Sequence, residues 1–264
     1  MAAKKTSLDA IRARIDGIDA ELLKLVDERT SLAHQVAEAK RAEGSDGKLG
    51  IRAAREAQLL RRLLATERKT ASTQLVVRLW RELIGESLKI QGDFHLGVWG
   101  GQDLAKTVEM ARFRFGAAPP MRRFRTPEEA LAVAREPGGV AVLALEPGDR
   151  WWGLLLARPD LRVFAALPCL HATGPVTAFA VAQVEVEPSG FDETYFVTDA
   201  IGTPAAVETR FGELGFAART LYHVQGLRLM GLSGFVQADD ERLKNAPGRM
   251  NGVIGASPMP LDLS

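Results

Sequence analysis

Eight positions near the start of the chain, Ile11, Ile15, Ile18, Leu22, Leu25, Arg29, Leu32 and Val36, follow one another in steps of 4, 3, 4, 3, 4, 3 and 4. A sustained 3.5-residue repeat is the seam of a coiled-coil type helix, which must lay its apolar stripe against another helix. From Ser7 to Ala42 such a helix spans roughly 50 Å at about 1.5 Å per residue, longer than a small domain is wide. Its partner is therefore sought elsewhere, most simply in an antiparallel second copy. Ser7 is placed to cap the helix, with Asp9 and Asp16 supporting the positive end of its dipole.

Seven of the eight positions are aliphatic and the eighth is Arg29. A guanidinium buried without a counter-ion costs several kcal/mol, so Arg29 calls for an anion facing it. Lys40 lies eleven residues on, roughly 20° off the same face and about 16 Å away, whereas Arg12 sits about 25 Å up the axis from Arg29. One small ligand cannot touch both arginines of one helix. If both bind it, Arg12 comes from a second copy.

Residues from Ser7 to Gln91 contain no proline, while all thirteen prolines fall between Pro119 and Pro260. Proline costs about 3 kcal/mol inside a helix, so the first third reads as a helical domain, ending near Gly92-Asp93. The other helices also interrupt their stripes with polar groups: Glu56 beside Leu59 and Leu63, and Ser87 after Val76, Trp80 and Leu83, with Gln91 one turn further. One reading makes Arg29, Lys40, Glu56, Ser87 and Gln91 rim residues with solvated tips. Their recurrence favours a polar pocket inside a bundle.

Composition narrows the function classes. Lys+Arg 34 against Asp+Glu 33 gives a formal charge of +1, which argues against bulk nucleic-acid or membrane-surface binding. Cys169 is the single cysteine, so an internal disulfide and a thiolate metal cluster are excluded. The longest apolar run, Val140–Leu145, is far short of the roughly 20 residues of a spanning helix, and a soluble, cytoplasmic protein is expected. His34, His95, His171 and His223 lack metal-ligand spacing, so no metal and no cofactor is expected. Trp151-Trp152 suits a core, and Gly97-x-x-Gly100-Gly101 suits either a tight turn or an anion cradle.

The run Ile11-Arg12-x-x-Ile15-Asp16-x-Ile18-Asp19-x-x-Leu22-Leu23-x-Leu25-Val26-x-x-Arg29-x-x-Leu32-Ala33-x-x-Val36-x-x-x-Lys40 resembles the first helix of the all-helical, type II chorismate mutases. Arg55-Glu56-Ala57-Gln58-Leu59-Leu60 resembles the opening of their second helix, and Leu83-Ile84-x-Glu86-Ser87-x-x-x-Gln91 the end of their third. The resemblance implies a three-helix domain in an intertwined homodimer that rearranges chorismate to prephenate. It implies that Arg29, with Arg12 of the second subunit, holds the substrate carboxylates. Lys40 and Gln91 would donate to the ether oxygen, Glu56 would accept from the ring hydroxyl, and Ser87 would assist at a carboxylate. A Claisen rearrangement needs no base, nucleophile or metal; it needs a compact conformer and donors at the oxygen that gains charge. Two departures stand out. The Gly44–Gly50 loop is Gly-rich and somewhat long, and Arg52 stands where some relatives have an acid, able to reposition Glu56 or add an anion contact.

From Gly92 onward, short apolar runs (Val140–Leu145, Val163–Leu167, Phe179–Val186, Thr194–Val197) alternate with helical stretches (Asp103–Phe113, Pro127–Arg135, Pro204–Leu214). Residues 93–190 resemble part of a prephenate dehydratase: Leu96-Gly97, Arg123-Phe124-x-Thr126-x-x-Glu129-Ala130, Trp152-Gly153-Leu154 and Thr177-Ala178-Phe179. Ala178 replaces the arginine of that family's Thr-Arg-Phe motif, and the segment is short for two lobes. Thr209-Arg210-Phe211 has the letters but falls in a helical run. Residues 191–264 read β-α-β-β-α-β, with strands Thr194–Val197, Ala217–His223, Leu227–Gln237 and Gly252–Ala256 and helices Pro204–Leu214 and Asp239–Lys244. They resemble an ACT domain closing at Gly255-Ala256-Ser257-Pro258; its phenylalanine-linked Glu-Ser-Arg-Pro motif is absent, and His223-Val224-Gln225-Gly226 stands near that place.

The expected architecture is thus multi-domain: 1–92 all-helical, 93–190 an α/β lobe, 191–264 an ACT-like α+β domain. The expected function is a homodimeric chorismate mutase whose C-terminal region is a non-catalytic regulatory or dimerisation module. Two alternatives stay open: a ligand-sensing protein whose helices only dimerise, and a bifunctional mutase/dehydratase.

Overall fold

A computed structural model describes residues 7–43, 50–170 and 174–261 of the 264. Most of the Gly44–Gly50 loop and His171 therefore lie outside the described residues. The chain divides into two compact units, Met1–Asp46 and Gly47–Ser264.

The first unit is one helix, α1 (Leu8–Ala42), 35 residues long. Ser7 caps it through its side chain, which accepts from Ala10 N at 3.2 Å, and Lys40 and Arg41 lie in its last turn, where cations suit the negative end of the dipole. The seven aliphatic seam residues are each between 40% and 61% exposed. Full burial of such a side chain is worth roughly 1.5–3 kcal/mol, so a single chain forgoes on the order of 10 kcal/mol along this stripe.

The second unit begins with α2 (Ala53–Ala65) and α3 (Thr73–Gln91) and continues into a nine-stranded mixed sheet. Its strands are β1 (His95–Trp99), β2 (Met121–Arg123), β3 (Gly139–Ala144), β4 (Arg162–Leu167), β5 (Ala178–Ala182), β6 (Asp192–Thr198), β7 (Ala218–Val224), β8 (Leu227–Ser233) and β9 (Asn251–Pro258). The spatial order is β2-β1-β3-β5-β4-β9-β6-β8-β7. Pairs β1–β2, β1–β3 and β4–β9 are parallel and the rest antiparallel. Among the described residues the unit also holds helices α4 (Leu104–Phe115), α5 (Pro127–Val133) and α6 (Pro204–Glu213) and the 3-10 turns Trp151–Ala157 and Glu241–Asn245.

The apolar runs are continuous because both sheet faces are covered. Along β3, Val140 and Val142 join α3 and α4 on one face, while Ala141 and Leu143 join α5 and the Trp151–Ala157 turn on the other. Trp151 and Trp152 are both buried in that second core, and Trp151 Nε1 donates to Ala144 O at 2.7 Å. Thr126 and Glu129 form a reciprocal capping box on α5, with Pro127 at its first position.

Three features differ from the sequence reading. The break between compact units falls near residue 46, not at 92, because α3 runs into β1 after only three residues and both pack on one core. The sheet also crosses residue 190 without interruption, since β4 bridges β9 at Val163 and Gly255. Gly255 sits at φ +147, and a Cβ there would stand 2.1 Å from the Val163 carbonyl oxygen, so only glycine permits this join. Lastly, the strand expected over 179–186 stops at Ala182, and the helix expected over 239–244 is the 3-10 turn Glu241–Asn245.

Candidate active site

The residues singled out in the sequence fall on three helices. Arg12, Arg29 and Lys40 are on α1, Arg52 immediately precedes α2 and Glu56 follows in its first turn, and Ser87 and Gln91 lie in the last turns of α3. Arg12 is largely exposed and lies 3.7 Å from Asp9. Arg29 is partly buried, and that desolvation holds its guanidinium below its ordinary value. Ser87 Oγ donates to Leu83 O at 2.8 Å, one turn back in its own helix. Arg52 Nη2 pairs with Glu187 at 3.1 and 3.3 Å, both groups about half exposed, so Glu187 already answers the charge at this departure from the family pattern.

Glu56 is the most constrained of these groups. It is 8% exposed, and its Oε2 accepts from Arg81 Nη1 at 2.8 Å. Arg114 Nη1 stands 2.8 Å from the same oxygen. Arg81 and Arg114 are themselves only 6% and 3% exposed, so two buried cations share one buried carboxylate. Burial, and then the neighbouring Arg114, hold the Arg81 guanidinium below its ordinary value, against the opposing pull of Cys169 and Glu56. Arg114 also stacks its guanidinium over the Phe115 ring at 4.8 Å.

Neither arginine stood out in the sequence. Of the stripe Val76, Trp80, Leu83 and Ser87 on α3, Val76 alone is buried. The buried face is the adjacent one, Val77, Arg81, Ile84 and Leu88, which steps 4, 3, 4 just as well and carries a charge in its middle. On α4 the buried set Thr107, Ala111, Arg114 and Phe115 shows the same signal. Trp80, Leu83, Ser87 and Gln91 are half-buried, forming a flank beside the buried face.

The weaker candidates are absorbed by structure. Gly100 and Gly101 do form a turn before α4, and the Gln102 N–H there donates to Glu146 Oε1 at 2.9 Å, so this chain's own carboxylate fills the cradle. His95 is held between Asp93 O at 2.6 Å and Glu136 Oε2 at 3.0 Å. Thr209-Arg210-Phe211 lies inside α6, with Phe211 buried and Arg210 tied to Ile201 O at 2.6 Å. Ala178, where the dehydratase motif has arginine, is a fully buried residue of β5. Among the described residues no set of three or more His, Cys, Asp or Glu is placed to hold a metal ion. No described helix is long and apolar enough to cross a membrane.

Residues 11–92 match the chorismate mutase type II family. Over 91 residues the chain is 32% identical to the bifunctional chorismate mutase/prephenate dehydratase of Pseudomonas aeruginosa, a match covering 34% of this chain. It shares 14% identity, at a TM-score of 0.44, with a solved structure described as "GqqA- a novel type of quorum quenching acylases", covering 62% of this chain and 94% of that one. The match with the curated relative spans about 25% of that protein's length. What these comparisons establish is a chorismate mutase type II domain at residues 11–92, followed by a large mixed-sheet region.

Proposed function

We propose that this chain is a chorismate mutase acting as a homodimer in the cytoplasm, without cofactor or metal. The observation that carries the reading is the solvent-facing seam of α1 with Arg29 set into it. Seven half-exposed aliphatic residues on one helix call for a second copy, and a cation in such a seam calls for an anionic ligand. Arg29 and Arg12 of the other subunit hold the two carboxylates of chorismate by charge-assisted bonds. Lys40 and Gln91 donate to the ether oxygen as the C–O bond breaks, Glu56 accepts from the ring hydroxyl, Ser87 assists at a carboxylate, and Arg52 repositions Glu56 or adds an anion contact. The protein supplies conformer selection and electrostatics; no proton changes hands.

Residues 93–264 serve as a non-catalytic regulatory or dimerisation region with dehydratase-like and ACT-like ancestry. The β6-α6-β7-β8-turn-β9 order supports the ACT-like part, and Ala178 supports the loss of dehydratase chemistry.

A second reading has its own observation. Glu56 is engaged by two arginines and Arg52 by Glu187, so α2 and α3 also make sense as a scaffold for a ligand-sensing sheet. Loss of chorismate absorbance on adding the full-length protein decides between them. Turnover well above the spontaneous rate supports the mutase, and none above background leaves the scaffold.

A further inference from the structure

We infer that Arg114, which lies outside the segment matching the mutase family, is a positioning residue for the mutase site; this rests on the reading just given. Glu56 is the group assigned to the substrate's ring hydroxyl, and two buried cations meet at its carboxylate. Arg81 Nη1 and Arg114 Nη1 both stand 2.8 Å from Oε2, so both cations bear on one oxygen of the carboxylate. Arg81 makes a directed hydrogen bond, whereas Arg114 Nη1 holds Oε2 as an ion pair. In a buried site that hold is strong and poorly screened.

Arg114 reaches this place because α4 is locked onto α3. A Cβ on Gly85 of α3 would stand 2.1 Å from the Phe115 carbonyl oxygen, so the two helices touch backbone to backbone. Just beyond α4, Ala117 N donates to Glu82 Oε2 of α3 at 2.8 Å. Helix α4 in turn packs through Ala111 and Phe115 on the core formed by β1, β3 and β4. The mixed-sheet region thereby fixes one of the two cations that aim Glu56. A region that does no chemistry itself would thus position a group of the mutase site.

The test is a double-mutant cycle in the full chain, reading kcat and KM for chorismate in wild type, Arg114→Met, Glu56→Gln and the double variant. Arg114→Met is expected to lower kcat/KM about 10-fold to 100-fold, the size of coupling seen between contacting charged groups. In the Glu56→Gln background the same change is expected to add less than about twofold, because its route through Glu56 is gone. Arg114→Lys, which keeps the charge, is expected to recover most of the loss. Factors that multiply in the double variant overturn the inference, since a merely structural Arg114 would act with or without Glu56. If Arg114→Met does not fold by circular dichroism, the cycle is run with Arg114→Gln, which also removes the charge, and an equal loss in both backgrounds overturns it. A wild type that does not turn over chorismate overturns the mutase reading itself, a separate result.

Discussion

Gly85 of α3 and Phe115 of α4 meet so closely that a methyl group on residue 85 would lie 2.1 Å from the Phe115 carbonyl oxygen. Glycine inside a helix normally costs roughly 1 kcal/mol relative to alanine. Here that cost goes with the close approach that brings Arg114 to Glu56. The atom met is backbone, not the tip of a flexible side chain, so relief requires moving a helix. Gly85→Ala is therefore expected to destabilise the protein, with an overpacking cost of about 1–3 kcal/mol exceeding the helix-preference gain. Urea denaturation checks this; a raised midpoint would show that the helices part freely.

The seam of α1 leads to a prediction about assembly. Leu22 and Leu25 sit mid-seam and are 50% and 61% exposed in the single chain. Aspartate at both positions costs a lone chain little but places charges in a helix–helix interface. The doubly substituted protein is expected to sediment as a 28.6 kDa monomer, and the wild type at twice that mass. The variant's cooperative thermal unfolding should persist, because the mixed-sheet unit keeps its own core. Unchanged sedimentation would place the dimer contact off this stripe.

How much of this was readable beforehand follows the range of each interaction. The α1 helix and its Ser7 cap are set by neighbours within one or two turns, so the 3.5-residue repeat and the residue before it expose them directly. The β-α-β-β order of residues 192–233 was equally local, each strand bounded by its own turn residues. The Glu56–Arg114 pair was not, because its members are 58 positions apart and meet only when α4 docks on α3. Arg81 was missed for a different reason. Two adjacent stripes on α3 share the same 4, 3, 4 spacing, and only the packed structure distinguishes the face that is buried. The continuity of the sheet through Val163 and Gly255 rests on a single parallel bridge, which leaves no repeating pattern in either strand.

The acid limb of stability should depend on Glu136. Its carboxylate feels an upward push from burial, but hydrogen bonds from Arg122 and His95 outweigh it and hold the group below its ordinary value of 4.5. A carboxyl depressed in the folded state adds stability above its unfolded value, and that contribution is lost as pH falls through the folded one. Glu136→Gln is expected to lower Tm near neutral pH by a small amount, since the group is 43% exposed and screened. The difference from wild type should shrink below about pH 4.5 and vanish in stronger acid. Thermal melts from pH 7 to pH 3 test this; a gap that stays constant would mean that the glutamine acts through packing, not charge.

Subunit origin can be read from mixed dimers. Arg12 and Lys40 of one α1 are 28 positions apart, about 42 Å along the helix, too far to serve one small ligand. If Arg12 serves the other subunit's pocket, Arg12→Ala and Lys40→Ala homodimers should each be nearly inactive. In a heterodimer of the two, one pocket carries both lesions and the other carries neither. Unfolding and refolding an equimolar mixture gives mixed dimers for half of the population, each with one intact pocket of two. Activity should then return to about a quarter of wild type, with stoichiometry verified by native mass spectrometry. Recovery that stays at the homodimer baseline, with mixed dimers present, would mean that Arg12 acts within its own chain or takes no part.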